Sequence, residues 1–163
     1  MRIALVAHDS RKKELVEWVG YNYETLVNHE LFATGTTGKL IEELMINVTD
    51  YDESLDTEYI HAIKPFEGKI TRLLSGPLGG DAQISAMIAE GKIDVLIFFC
   101  DNLIMQGHQN DVSALVRLSS LYNIAFATNR TTADMILTSR LFDSATYNRI
   151  VPPAIEKYKN RQI

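Results

Sequence analysis

Four clusters of residues in this chain could do chemistry. His8 and Asp9 follow the apolar run "IALVA", and His108 and Asp111 follow "VLIFFCDNLIMQG". Imidazole and carboxylate together suit several divalent ions. No tight ligand motif such as HExxH accompanies them, however, and no metal is expected. Two histidines at strand ends, each near an aspartate, are better suited as neutral hydrogen-bond donors to an oxygen-bearing substrate. The third cluster is "TGTTG" (Thr34–Gly38), which opens a helix-like segment. Glycines there would let the backbone approach a ligand, and a helix N-terminus with threonine hydroxyls can cradle phosphate or carboxylate. The same residues would equally serve as an ordinary cap. Lys12, one helical turn past His8, could add a cation, and Ser75 and Gly76 a hydroxyl and an N–H.

The fourth cluster, "SGPLGGD" (Ser75–Asp81), delivers one carboxylate after a proline and three glycines. Gly79 and Gly80 permit a sharp turn after a strand, leaving Asp81 near the start of the next helix, where the dipole favours its ionised form. Ionised Asp81 beside a bound phosphate-bearing ligand could be a base; it could also be the helix N-cap.

These clusters need elements to position them. "IALVA" (Ile3–Ala7), "ELFAT" (Glu30–Thr34), "ITRLL" (Ile70–Leu74), "DVLIFF" (Asp94–Phe99) and "IAFAT" (Ile124–Thr128) read as strands. The intervening segments Lys12–Val27, Thr36–Met45, Gly80–Gly91 and Asp111–Asn123 carry apolar residues at helical spacing, and a Pro-started tail from Pro152 reads as a further helix. Such alternation predicts an α/β protein with a parallel sheet of about five strands and helices on both faces, its ligand site outside the carboxyl ends of the strands. Residues 46–67 break the rhythm. They are acidic, weakly periodic and too long for a simple loop. They read as an insertion with partial structure of its own, a lid or an interface element, in a single domain spanning 1–163.

At 163 residues, with 46% apolar and 23% charged side chains, the composition is that of a globular protein. A net charge of −5 gives no sign of a nucleic-acid or anionic membrane partner. The one cysteine, Cys100, sits in an apolar run and reads as core filling; it suits a reducing compartment. "MRIALVAHD" begins a strand without a signal-peptide layout, and no apolar run reaches the roughly 20 residues of a membrane span, so a cytoplasmic location is expected.

In order along the chain, "IALVAHDSRKKEL", "ATGTTGKLI", "LLSGPLGGDAQI", "GKIDVLIFFCD", "GH" followed by "DVSALVRL", and "NIAFATNRTTADMIL" resemble the methylglyoxal synthase family. The resemblance covers nearly everything except Ile46–Glu67. It implies a three-layer α/β/α sandwich of Rossmann-like topology and a homohexamer. The implied reaction is cofactor-free and metal-free conversion of dihydroxyacetone phosphate to methylglyoxal and inorganic phosphate, the latter also a possible inhibitor. By motif, it makes Asp81 the catalytic acid/base. It places Thr34, Gly35, Thr36, Thr37, Ser75, Gly76 and Lys12 around the phosphate, and His8 and His108 at the substrate's oxygens. Asp9, Asp101 and Asp111 support these, and Arg161 aligns with an active-site arginine.

Two features depart from that family's pattern: the loop before His108 lacks its usual prolines, and about twenty extra residues separate "TGTTG" from "SGP". A ligand-sensing domain of the same fold would be expected to have lost the base, the histidines or the cradle, and all are present. A metal-dependent hydrolase using His8, Asp9, His108 and Asp111 is a third class, which activity in chelator would remove.

Overall fold

The computed structural model describes residues 1–104, 107 and 109–161. In chain order its strands are β1 (Arg2–Ala7), β2 (Glu30–Ala33), β3 (Ile46–Asp52), β4 (Thr57–Ile63), β5 (Ile70–Arg72), β6 (Val95–Phe99) and β7 (Ala125–Ala127). Five of them form one parallel sheet in the order β5-β2-β1-β6-β7, while β3 and β4 stand apart as an antiparallel pair. The helices are α1 (Lys12–Tyr21), α2 (Tyr23–Leu26), α3 (Gly35–Glu42), α4 (Gly80–Ala89), α5 (Gln109–Leu121), α6 (Arg130–Leu137) and α7 (Pro153–Lys159).

Side-chain parity along β1 divides the core into two. Ile3, Leu5 and Ala7 point to one face and pack with Leu15, Trp18 and Val19 of α1 and Ile41 of α3. Ala4 and Val6 point to the other, with Ile84 and Ile88 of α4 and Leu115 of α5. Both faces of β1 and β6 are therefore covered, which is why "IALVA" and "VLIFF" carry no polar alternation. The helices change sides between β1 and β6, making this the point where the chain order reverses and a crevice opens at the carboxyl ends.

The strands run shorter than expected at their ends, because polar turn residues leave the ladder early: β2 stops at Ala33, β5 at Arg72 and β7 at Ala127. The Lys12–Val27 helix is broken at Asn22, whose side chain caps back onto the Trp18 carbonyl at 2.8 Å. Helix α6, unmarked by a long apolar stripe, starts where Asn129 Oδ1 accepts from the Thr132 N–H at 2.9 Å. Residues 46–63 form a regular hairpin. Its weak apolar alternation hides good turn chemistry: Asp52 Oδ1 accepts from the Ser54 N–H at 2.9 Å, and Asp56 takes a left-handed φ of 50°. Cys100 is buried, and burial pushes its thiol up to about 11, so it is an inert part of the core. Among the described residues no helix is long and apolar enough to cross a membrane.

At the opposite, amino ends of the strands, the guanidinium of Arg2 grips Asp94 through two bonds of 3.0 and 2.8 Å, and the Arg2 N–H adds a third of 3.0 Å. Burial pushes the Asp94 carboxyl up, but these bonds outweigh it and hold the group below its ordinary range. A carboxyl depressed in the folded state adds stability above its unfolded value near pH 4, and that stability is lost as pH falls through the folded value. Asp94→Asn is therefore expected to lower stability at pH 7 and to flatten the fall in stability below about pH 4. Urea unfolding across pH checks this, and parallel acid profiles for the two proteins would contradict it.

Candidate active site

A cavity of about 270 Å³ opens at the carboxyl edge of the sheet. Four segments build it. The end of β1 supplies His8, Asp9 and Lys12; the β2–α3 turn supplies Thr34 and Thr36; the β5–α4 turn supplies Ser75, Gly76 and Asp81; and Val6, Ala7, Pro77 and Phe98 give it an apolar lining.

The β5–α4 turn answers to two glycines. Ser75 lies at the start of a short 3₁₀ turn over Gly76–Leu78, and its carbonyl accepts from the N–H groups of Leu78 at 2.9 Å and Gly80 at 3.0 Å. Gly79 takes a left-handed φ of 104° and is the N-cap of α4, the position that Asp81 could have filled. Gly80 passes so close to the preceding strand end that a Cβ on it would lie 2.1 Å from the Leu74 carbonyl oxygen. Asp81 is thereby seated in the first turn of α4, 1% exposed, at the cavity wall. Its negative charge is felt at Cys100, where it adds to the upward push of burial.

The "TGTTG" turn is tied to the same strand end. The Gly35 N–H donates to the Leu74 carbonyl at 3.1 Å, and a Cβ on Gly35 would come within 3.2 Å of both the Leu73 carbonyl and the Ser75 hydroxyl. Thr34 occupies the N-cap position of α3 but its side chain makes no capping bond; its hydroxyl contacts that of Thr37 at 3.4 Å. The first-turn N–H groups of Thr36 and Thr37 have no acceptor within the helix, which is the geometry that receives an anion. The Lys12 ammonium donates to the Thr36 hydroxyl at 2.6 Å and to Asp9 Oδ1 at 2.5 Å, holding a cation at this helix start.

His8 is 4% exposed and edge-on to Phe98, with ring centroids 5.0 Å apart. Its Nδ1 accepts the backbone N–H of Asp101 at 2.8 Å, so the neutral ring carries its proton on Nε2. Asp101 is itself fixed by the Ser10 hydroxyl at 2.5 Å and the Leu103 N–H at 3.0 Å. The Ser10 hydroxyl above all, with the Leu103 N–H, holds the Asp101 carboxyl below its ordinary range.

Of the residues singled out from the sequence, His8, Asp9, Lys12, Thr34, Thr36, Ser75, Gly76 and Asp81 meet in one cavity. Gly35 and Thr37 frame its α3 wall, and Asp101 stands behind His8. Asp111 is exposed in the first turn of α5, and Arg161 lies at the C-terminal end with its guanidinium 3.8 Å from the Tyr158 ring centre; neither lines the cavity. His108 lies outside the described residues. Val6, Phe98, Pro77 and Ser10 went unmarked in the sequence. Parity could have found two of them, since Val6 shares the face of His8 and pairs in register with Phe98. Among the described residues no group of three or more His, Cys, Asp or Glu converges as a metal site would require.

Gly80→Ala is expected to destabilise the protein by at least about 1–3 kcal/mol, because the obstructing atom is backbone and cannot rotate away. It should also weaken inorganic phosphate binding by shifting Ser75. Thermal unfolding and calorimetry check both, and unchanged values would show that the turn tolerates a side chain.

Comparison with known proteins agrees with this geometry. A family model described as an MGS-like domain matches residues 14–128. The methylglyoxal synthase of Maridesulfovibrio salexigens is 48% identical over 141 residues, covering 86% of this chain and 85% of the relative. That of Coxiella burnetii is 44% identical over 162 residues, covering 99% and 97%. The crystal structure of methylglyoxal synthase from Elizabethkingia anophelis NUHP1 superposes with a TM-score of 0.76 at 40% identity, covering 99% of this chain and 91% of that one. With the buried aspartate, the histidine and the anion-receiving turn on one sheet edge, the chain belongs to the methylglyoxal synthase family.

Proposed function

We propose that this protein is a lyase that converts dihydroxyacetone phosphate to methylglyoxal and inorganic phosphate in the cavity at the carboxyl edge of the sheet. The observation that carries this reading is the meeting of buried Asp81 with an anion-receiving helix start in one small cavity. A base and a phosphate cradle so close together fit a small phosphate ester with an acidic C–H.

In the proposed sequence the substrate phosphate lies against the N–H groups and hydroxyls of Thr36 and Thr37, with Ser75, Gly76 and the Lys12 ammonium completing the cradle. Thr34 and Gly35 hold the turn. Asp9, bonded to Lys12, aims the ammonium. Ionised Asp81 takes a proton from the hydroxymethyl carbon, leaving an enediolate; a positioned base of this kind is worth about 10²–10⁴-fold. The His8 Nε2–H donates to the oxygen where charge develops, and the Asp101 N–H keeps that proton on Nε2. As the C–O bond to phosphate breaks, the hydroxyl proton of the former hydroxymethyl group passes to the enediolate oxygen, that carbon becomes the aldehyde and a double bond forms to the methylene carbon. Phosphate leaves with the proton that Asp81 took, and the resulting enol of methylglyoxal moves its hydroxyl proton to the methylene carbon to become the ketone. Inorganic phosphate leaves from the cradle and, as a product that fits it, competes with substrate. The apolar wall of Val6, Ala7 and Phe98 limits water around the enediolate.

His108, Asp111 and Arg161 enter through the family resemblance: His108 as a second donor to the substrate's oxygens, Asp111 in support of it, and Arg161 as a further cation. The resemblance also carries the homohexamer, the single domain and the cytoplasmic location. No step calls on a metal, since the cradle and the Nε2–H receive the developing charge.

The test is a coupled one. Purified protein with dihydroxyacetone phosphate in EDTA is expected to release methylglyoxal and inorganic phosphate in equal amounts. Glyceraldehyde 3-phosphate without phosphate release would make the site an isomerase. Phosphate binding without turnover would make the chain a sensor, and activity lost in EDTA but restored by a divalent ion would make it metal-dependent.

A further inference from the structure

Three hydrogen bonds tie the segment after β1 to the segment after β6. The His8 N–H donates to the Phe99 carbonyl at 3.2 Å, the Asp101 N–H donates to His8 Nδ1 at 2.8 Å, and the Ser10 hydroxyl donates to Asp101 Oδ2 at 2.5 Å. The first continues the β1–β6 pairing and the second fixes the imidazole. The third joins two side chains, neither of which lines the cavity. Ser10 is exposed and lies in a 3₁₀ turn over Asp9–Arg11, closed by the Arg11 N–H on the His8 carbonyl at 2.9 Å.

Asp101 offers His8 both a main-chain N–H and a carboxylate, and the two ask for opposite tautomers. Against the N–H, Nδ1 is bare and the ring proton sits on Nε2. Against a carboxylate, Nδ1 carries the proton, Nε2 becomes an acceptor, and the negative charge draws the ring towards imidazolium. The Asp101 carboxylate is close enough for the charges of the two groups to act on one another. Its oxygens are engaged elsewhere, however. Oδ1 accepts from the Leu103 N–H at 3.0 Å within its own turn, and Oδ2 is drawn across to Ser10. A hydroxyl on a carboxylate makes a short, charge-assisted bond.

We propose that Ser10 is a positioning residue: by holding Asp101 Oδ2 it keeps the carboxylate off His8 and leaves the main-chain N–H as the partner of Nδ1, so that His8 presents its Nε2–H to the substrate's oxygen. Without the Ser10 hydroxyl, Oδ2 competes for Nδ1 as an acceptor. A ring that answers with Nδ1–H aims a lone pair, not a proton, at the developing negative charge. Ser10 thus acts on the reaction through Asp101 and His8 without touching the substrate. Its effect on turnover rests on the lyase reading; its effect on the tautomer does not.

Heteronuclear NMR of the imidazole nitrogens tests it on the full-length chain labelled at histidine, the His8 signals being identified by their loss in His8→Gln. Wild-type His8 is expected to show a protonated, pyrrole-type Nε2 and a bare, pyridine-type Nδ1. In Ser10→Ala the proton is expected to move to Nδ1 in most molecules, with kcat lowered about tenfold, the worth of one hydrogen bond to a charged group, and KM nearly unchanged. Ser10 is exposed, so the fold is not at stake. Ser10→Ala combined with Asp101→Asn is expected to restore Nε2–H, because the amide still accepts from the Leu103 N–H but has no charge to draw the Nδ1 proton. Unchanged His8 signals in Ser10→Ala, a wild type with Nδ1–H, or a double variant that stays with Nδ1–H would overturn the proposal. Signals that behave as described in a protein that makes no methylglyoxal would overturn the lyase reading and leave this one standing.

Discussion

Gly80 runs so tightly against the Leu74 carbonyl that no side chain fits between them, and the place of Asp81 follows from that contact. The strand must end, reverse through Gly79 in a left-handed conformation and enter α4 within a few residues. Had the turn been wider, Asp81 would stand in solvent as an ordinary first-turn carboxylate. Instead it is buried at the cavity wall. The same Leu74 carbonyl accepts the Gly35 N–H, so one strand end registers both Asp81 and the start of α3.

His8 is positioned by the same economy. The sheet places it one residue past β1, beside β6, and a backbone N–H from the segment after β6 decides which ring nitrogen carries the proton. A backbone donor has no second protonation state, so the tautomer of the neutral ring does not depend on the charge of its partner. Asp101 contributes to this through its main chain, while its carboxylate is occupied with Ser10 and Leu103. The hairpin stands outside this arrangement.

Much of the site was legible because its residues sit where strands end. "IALVA" and "VLIFF" betray a sheet covered on both faces, and His8, "TGTTG" and "SGPLGGD" follow strands directly. What lay hidden has physical reasons. The break at Asn22 comes from a side chain folding back on its own helix, which apolar spacing does not record. The hairpin reads as weakly periodic because Tyr51 and Ile60 lie on its exposed face while Asp50 and Asp52 interrupt the face of Ile46 and Val48, and turn chemistry rather than alternation defines it. Phe98 and Ser10 act through packing and a hydroxyl bond set by sheet register, and the order β5-β2-β1-β6-β7 is a property of crossovers, not of any one segment.

The central claim, that the buried Asp81 carboxylate is the base while the turn before it holds phosphate, is tested most directly by Asp81→Asn, which keeps the side chain's shape and removes its charge. Methylglyoxal formation from dihydroxyacetone phosphate and the affinity for inorganic phosphate are measured on the same preparation. Turnover is predicted to fall by about 10²–10⁴-fold with phosphate affinity changed only a few-fold. Undiminished turnover, or loss of both together, would contradict the account and leave Asp81 a structural part of the turn.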